Sequence, residues 1–224
     1  GPARAVSQIR RRFTMVFEQI IQGRSRNFAY LFASCPGGSG FVVDPGPDPV
    51  PDRLLEIIRD LRVGVKAIIL THHHTDHVAG TVALAAATGA AVHAHAETAR
   101  LLSGRVRVDR LLVDGAMLRW EENLGAVVLA TPGHAPGSIC LVVNDTWLVT
   151  GDTLFIGDCG RTDLPEGDAA ALFRSLQRLK ELPDHLAVCP GHDYGPVLIR
   201  RLDEEKEHNP ALQAADLAAF NAIP

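Results

Sequence analysis

From Thr14 to Asp44 apolar positions gather into short runs bounded by polar ones, which predicts strands over Thr14–Ile21, Asn27–Ala33 and Gly40–Asp44. Glycine-rich turns separate them, and Pro45-Gly46-Pro47 ends the series. The pattern then changes. Leu54, Leu55, Ile57, Ile58 and Leu61 fall on one face of an amphipathic helix over Pro51–Leu61, and Val65–Leu70 follows as a continuous apolar strand of the buried kind. A helix over Val78–Thr88, ended by Gly89, leads to a short strand at Ala91–Ala94.

The second half opens with strands near Arg110–Val113, Met117–Trp120 and Ala126–Ala130 and a hairpin from Ile139–Val143 to Trp147–Thr150. Helix Ala169–Leu179, strand Leu186–Cys189 and a helix around Leu198–Glu207 complete it. This alternation implies an α/β fold. Each half offers a sheet whose far face needs a cover of helices, and two sheets packed face to face between helix layers meet that need. The expectation is a four-layer αββα sandwich forming one domain over residues 13–224. A basic arm over residues 1–12 precedes it, in which Gly1-Pro2 reads as a vector-derived remnant.

Composition narrows the class. At 224 residues, 46% hydrophobic and 21% charged, the chain has the make-up of a globular protein. Its formal charge of −4 argues against a nucleic-acid partner, which calls for basic excess. No apolar run approaches the ~20 residues of a membrane span and no apolar stretch follows the basic start, so neither a membrane nor export is expected. Cys35, Cys140, Cys159 and Cys189 form no C-x-x-C pair. They suit a reducing compartment, and the expected location is cytoplasmic.

Ten histidines are the compositional item out of line, and His72, His73, His74 and His77 crowd one short run. That run, Thr71-His72-His73-His74-Thr75-Asp76-His77, follows the buried strand Val65–Leu70. Imidazoles and a carboxylate in alternate positions of a loop can converge on one cation. Three later strands end in the same way: Thr131-Pro132-Gly133-His134, Thr150-Gly151-Asp152-Thr153 and Pro190-Gly191-His192-Asp193-Tyr194. A glycine beside each candidate ligand lets the backbone turn sharply at the sheet edge. His73 reads as a spacer, and His93, His95, His185 and His208 read as surface or core-edge residues.

This ordered pattern, H-x-H-x-D-H and then G-H, G-D and G-H, resembles the metallo-β-lactamase superfamily over roughly Phe13 to Leu212. The resemblance implies an αββα sandwich with a metal cleft at the rim between the sheets. By position, His72, His74 and His134 match one metal site, Asp76, His77 and His192 match a second, and Asp152 bridges them. Asp44 matches a buried aspartate that supports the histidine loop from behind, the kind of outer partner metal ligands usually have.

Cys159-Gly160-Arg161-Thr162-Asp163, Gly191-His192-Asp193-Tyr194 and the tail Glu204-Glu205 to Asn209-Pro210-Ala211-Leu212 look like the persulfide dioxygenases. The related glyoxalase II hydrolases carry a further helical domain that grips glutathione, and the 32 residues after His192 are too few for one. The dioxygenase resemblance implies one Fe(II) per chain held by His72, His134 and Asp152, a set that leaves three coordination positions open. It further implies oxidation of glutathione persulfide by O2 to sulfite, with release of glutathione. His74, Asp76, His77 and His192 then orient water or ligands around the reaction, and Arg161 and Tyr194 hold the substrate. A homodimer is compatible with the resemblance. The competing expectation is a glyoxalase II-type hydrolase of glutathione thioesters, with two Zn in the same cleft.

Overall fold

The computed structural model describes residues 14–47 and 50–223, so the arm expected over residues 1–12 lies outside the described residues. Strands β1 (Val16–Gln22), β2 (Asn27–Ala33) and β3 (Ser39–Val43) form an antiparallel meander, with β2 buried on both faces. Strands β4 (Gly64–Leu70), β5 (Ala91–His95) and β6 (Arg110–Leu112) join in parallel, giving a first sheet of order β1 to β6. The second sheet contains β7 (Met117–Glu121), β8 (Leu124–Ala130), β9 (Ile139–Val143), β10 (Trp147–Gly151), β13 (Ala187–Pro190) and β14 (Arg200–Arg201), in the order β14-β13-β10-β9-β8-β7. Helix α5 (Ala169–Lys180) makes the crossover between the parallel pair β10 and β13.

The layers follow from the two faces of each strand. In β2, Phe28, Tyr30 and Phe32 point between the sheets, against Phe41, Ile69, Val128, Leu141 and Val149. Ala29, Leu31 and Ala33 point the other way, onto Leu54 and Ile58 of α1 (Val50–Asp60), Leu84 of α3 (Thr81–Thr88) and Leu102. Leu148 and Val188 of the second sheet meet Leu172, Leu176 and Leu179 of α5 on the opposite outer face. The four-layer αββα arrangement is therefore present, with its main core between the sheets. Among the described residues no helix is long and apolar enough to cross a membrane.

Several elements depart from the expectations. The helix over Val78–Thr88 is two, α2 (Thr75–Val78) and α3, because Gly80 breaks off to donate its N–H to Pro45 O at 2.9 Å. The helix expected from Leu198 begins at Leu202 as α6 (Leu202–His208), since Arg200–Arg201 first add an edge strand to β13. Helix α4 (Ala96–Leu101), the hairpin β11 (Leu154–Phe155) and β12 (Asp158–Cys159), and helices α7 (Pro210–Gln213) and α8 (Leu217–Asn221) were not foreseen. They are too short to show a period, and tertiary contacts select them.

Candidate metal centre

The histidine run leaves β4 at the rim between the sheets, and His134, Asp152 and His192 arrive there from the ends of β8, β10 and β13. Local geometry explains each arrival. Asp44 ends β3 with φ of +50°, a backbone that aspartate tolerates, and it turns its carboxylate back under the histidine loop. Its Oδ1 accepts from Thr71 N at 2.7 Å, while Oδ2 accepts from Thr71 Oγ1 at 2.5 Å and from His77 Nδ1 at 3.0 Å. Thr71 Oγ1 also lies 3.0 Å from His72 Nδ1. One buried carboxylate thus assigns the Nδ1 proton of both His72 and His77 and leaves each Nε2 facing the centre.

Backbone carbonyls do the same elsewhere. His134 Nδ1 pairs with Arg161 O at 2.9 Å and His192 Nδ1 with Ser25 O at 2.8 Å. Gly133, at φ +146°, brings the chain so close to α5 that a Cβ there would lie 2.3 Å from the Leu172 backbone. Gly191 packs against Asp152 in the same manner, with 2.2 Å from its notional Cβ to Oδ1.

Around Asp152 the donors converge. Its Oδ2 is 3.2 Å from His192 Nε2, 3.5 Å from His134 Nε2 and 3.9 Å from His72 Nε2, and its Oδ1 is 3.2 Å from His77 Nε2. His74 enters through Nδ1, 3.0 Å from His134 Nε2. Asp76 Oδ2 stands 3.5 Å from His192 Nε2 and is held by Asn27 Nδ2 at 2.8 Å. Two sets can hold a cation, His72 with His74 and His134, and Asp76 with His77 and His192. Asp44 also lies close to His72 and His77, but it faces their Nδ1 sides and its oxygens already accept three hydrogen bonds. It supports ligands and is not one.

Fit to a metal can be tested on polar satisfaction. His72 Nε2 and Asp152 Oδ1 are buried without a hydrogen-bond partner. Two buried orphan atoms that face one centre are costly in a folded protein, and a bound cation would satisfy both. The electrostatics agree for His72, His74 and Asp152. Burial, and then the charge of His77, hold His72 well below its ordinary pKa. Burial and then His134 push His74 down to about 4, so both imidazoles stay neutral and ligand-competent. Burial alone would raise Asp152, but the charge of His77, then a hydrogen bond from His192 and the charge of His72, outweigh it and hold the carboxylate well below its usual range. For His77 burial works to lower the pKa. Asp152 and Asp44 prevail and raise it.

The two residues expected to bind substrate are each in contact with one donor histidine. Arg161 contributes its carbonyl to His134, while its guanidinium is exposed and paired through Nε and Nη2 with Asp163, at 2.6 Å each. Tyr194, 59% exposed, lies flat on His192 at 4.5 Å and edge-on to Phe155 at 5.2 Å. His73 is buried beside the run but belongs to neither set, and His95 caps α4 by accepting from Glu97 N. Sequence reasoning missed Asn27, Ser25 and Thr71, which bear no motif of their own. It also missed why the tail matters. Buried Glu205 accepts from Gly157 N at 2.9 Å, and Asn209 Nδ2 donates to Phe155 O and Asp158 O at 3.2 and 3.0 Å. The tail therefore clasps the β11–β12 hairpin, which leads into Gly160 and Arg161.

Residues 23–192 match the sequence model of the Metallo-beta-lactamase superfamily. The chain is 39% identical over 172 residues to a hydroxyacylglutathione hydrolase of Cereibacter sphaeroides, a match covering 76% of this chain and 64% of that protein. It thus spans just under two thirds of that relative's length. It is 30% identical over 200 residues to the mitochondrial persulfide dioxygenase ETHE1 of Homo sapiens, covering 88% of this chain and 76% of that one. Among solved structures, ETHE1 from Myxococcus xanthus superposes with a TM-score of 0.81 at 32% identity, covering 94% of this chain and 92% of that chain.

Proposed function

The chain belongs to the metallo-beta-lactamase superfamily, and from that premise we propose that it is a glutathione persulfide dioxygenase of the cytoplasm, dependent on one Fe(II) per chain. The observation that carries this reading is a contact between distant segments. The stretch Cys159–Asp163, the residues Gly191–Tyr194 and the tail through Asn209 are the parts of the sequence that look like persulfide dioxygenases. They meet around the β11–β12 hairpin beside the donors, through the Glu205 and Asn209 clasp and the Tyr194–Phe155 contact. The near-complete superposition on ETHE1 from Myxococcus xanthus supports the same reading.

In this proposal His72, His134 and Asp152 hold the iron, and Asp44 fixes His72 through Thr71. Iron bound there supplies redox chemistry with O2 that zinc lacks. The overall change balances as persulfide, O2 and water giving glutathione, sulfite and two protons. His74, His77, Asp76 and His192 line the remaining walls, where they orient water and accept those protons. Arg161 attracts a substrate carboxylate, and Tyr194 turns its hydroxyl towards the reacting sulfur. The second reading, a dinuclear zinc hydrolase of glutathione thioesters, is favoured by Asp76, His77 and His192 forming a complete second donor set and by the hydrolase relatives. Metal analysis of the purified protein with oxygen uptake on glutathione persulfide separates the two. About one iron per chain with rapid uptake is expected. Two zincs per chain with hydrolysis of S-lactoylglutathione would overturn the dioxygenase reading.

A further inference from the structure

On the side of the Cys159–Thr162 segment facing α8 lies a cavity of about 280 Å³. That is near the lower end of ligand pockets, room for one arm of a peptide-sized ligand and not for all of it. Its walls are fixed. Asp216 caps α8 by accepting from Ala219 N at 2.8 Å, and buried Phe220 packs on Phe173 of α5 with 5.8 Å between ring centres. The opposite wall is the segment that orients the donors, because Arg161 O holds His134 and a Cβ on Gly160 would fall 1.9 Å from Asp152 O.

Two opposite charges line this cavity, Asp158 and Arg161, and they do not pair with each other. Asp163 occupies the side edge of the Arg161 guanidinium through Nε and Nη2. This holds the group in place and leaves both Nη1 protons and one on Nη2 free to grip a carboxylate end-on. Asp158 spends Oδ1 on Cys159 N at 2.7 Å, and Oδ2 accepts no hydrogen bond among the described residues. One fixed guanidinium and one carboxylate on the same small cavity complement an ammonium and a carboxylate carried on one carbon.

We propose that this cavity recognises an α-amino-acid head group, with Arg161 donating to its carboxylate and Asp158 accepting from its ammonium, and that it seats the γ-glutamyl end of glutathione. The inference rests on the glutathione reading above, which the dioxygenase and hydrolase alternatives share. It adds Asp158 and the α8 wall, including Asn221, to the residues that determine specificity. With the γ-glutamyl end anchored here, the cysteinyl sulfur is left to reach the donors on the other side of Gly160.

The test uses metal-loaded protein and calorimetric titration with reduced glutathione, with cysteinylglycine, which lacks the γ-glutamyl group, and with N-acetylglutathione, which lacks the ammonium. Asp158→Asn keeps the bond to Cys159 N and removes the charge. Asn221→Trp fills the cavity from the α8 side. Asp158→Asn is expected to raise the Kd of glutathione about tenfold, as loss of one charge-assisted hydrogen bond implies, Asn221→Trp to raise it at least as far by occupying the cavity, and both to leave cysteinylglycine binding as in the parent protein. N-acetylglutathione should bind the parent and Asp158→Asn alike. The proposal is overturned if both variants, folded by circular dichroism, bind glutathione within twofold of the parent, or if the parent binds glutathione and cysteinylglycine equally. A parent protein that neither oxidises a persulfide nor hydrolyses a glutathione thioester overturns the glutathione reading itself. Active parent protein with unaltered variants overturns the cavity assignment alone.

Discussion

Replacing Asp44 by asparagine should weaken metal binding even though Asp44 touches no metal. Asparagine has the same shape and tolerates the φ of +50°, so the backbone can stay. The polar balance cannot. The carboxylate faces three donors, Thr71 N on Oδ1 and both Thr71 Oγ1 and His77 Nδ1 on Oδ2. With the amide oxygen towards Thr71 N, the new NH2 meets two donors; flipped, it meets the Thr71 N–H. Relief on the first branch requires His77 to carry its proton on Nε2, which points it at Asp152 and removes a metal donor. On the second branch Thr71 Oγ1 loses its acceptor and no longer fixes His72. Loss of one supporting partner usually costs 10–100-fold in metal affinity. Because Asp44 serves both histidines, the upper end is expected, about 100-fold or ~2.7 kcal/mol. Chelator-competition titrations with Zn(II), and with Fe(II) under anaerobic conditions, measure this directly. Thr71→Val separates the branches, since it keeps the Thr71 N and His77 bonds to Asp44 and removes only the hydroxyl that bridges Asp44 to His72. A Kd for Asp44→Asn within threefold of the parent, at unchanged thermal stability, would refute the reasoning.

Gly160→Ala places a methyl group 1.9 Å from Asp152 O, so the hairpin exit must shift; a loss of roughly 1–3 kcal/mol in stability and a visible fall in metal content should follow, by denaturant melts and elemental analysis. For His74 the folded pKa of about 4 lies below the ordinary ~6.5, so between those values the unfolded chain binds more protons. Its contribution is complete above pH ~6.5 and declines on acidification towards 4, and metal-free His74→Gln should show a shallower fall of Tm across that window. Burial raises Cys140 to about 11 and Cys159 to about 12; at pH 8 neither should react quickly with iodoacetamide, and both should label on unfolding, as peptide mapping can show.

Much of the fold was legible because its information is local. The short apolar runs of β1 to β4, bounded by turn residues, specify strands wherever they sit, and their order implies covering helices. The donors were legible too, since His72, His74, Asp76, His77, His134, Asp152 and His192 announce themselves by residue type and by glycine at strand ends. What escaped was everything whose signal lies in a partner far along the chain. Nothing around Asn27 suggests that its amide holds Asp76, 49 positions away. Likewise Arg161 was read for its guanidinium, and its carbonyl turned out to orient His134.

By itself, then, the sequence determined which side chains could ligate a metal and which segments had to be strands, because residue chemistry and hydrophobic period are properties of short stretches. Only the tertiary structure decided which imidazole nitrogen faces the centre, since Asp44, Ser25 O and Arg161 O each arrive from another element to hold a proton on Nδ1. The same holds for the charges beside α8. Asp158 and Arg161 are three residues apart in sequence, and they come to line one cavity, unpaired with each other, when α8 closes its far wall.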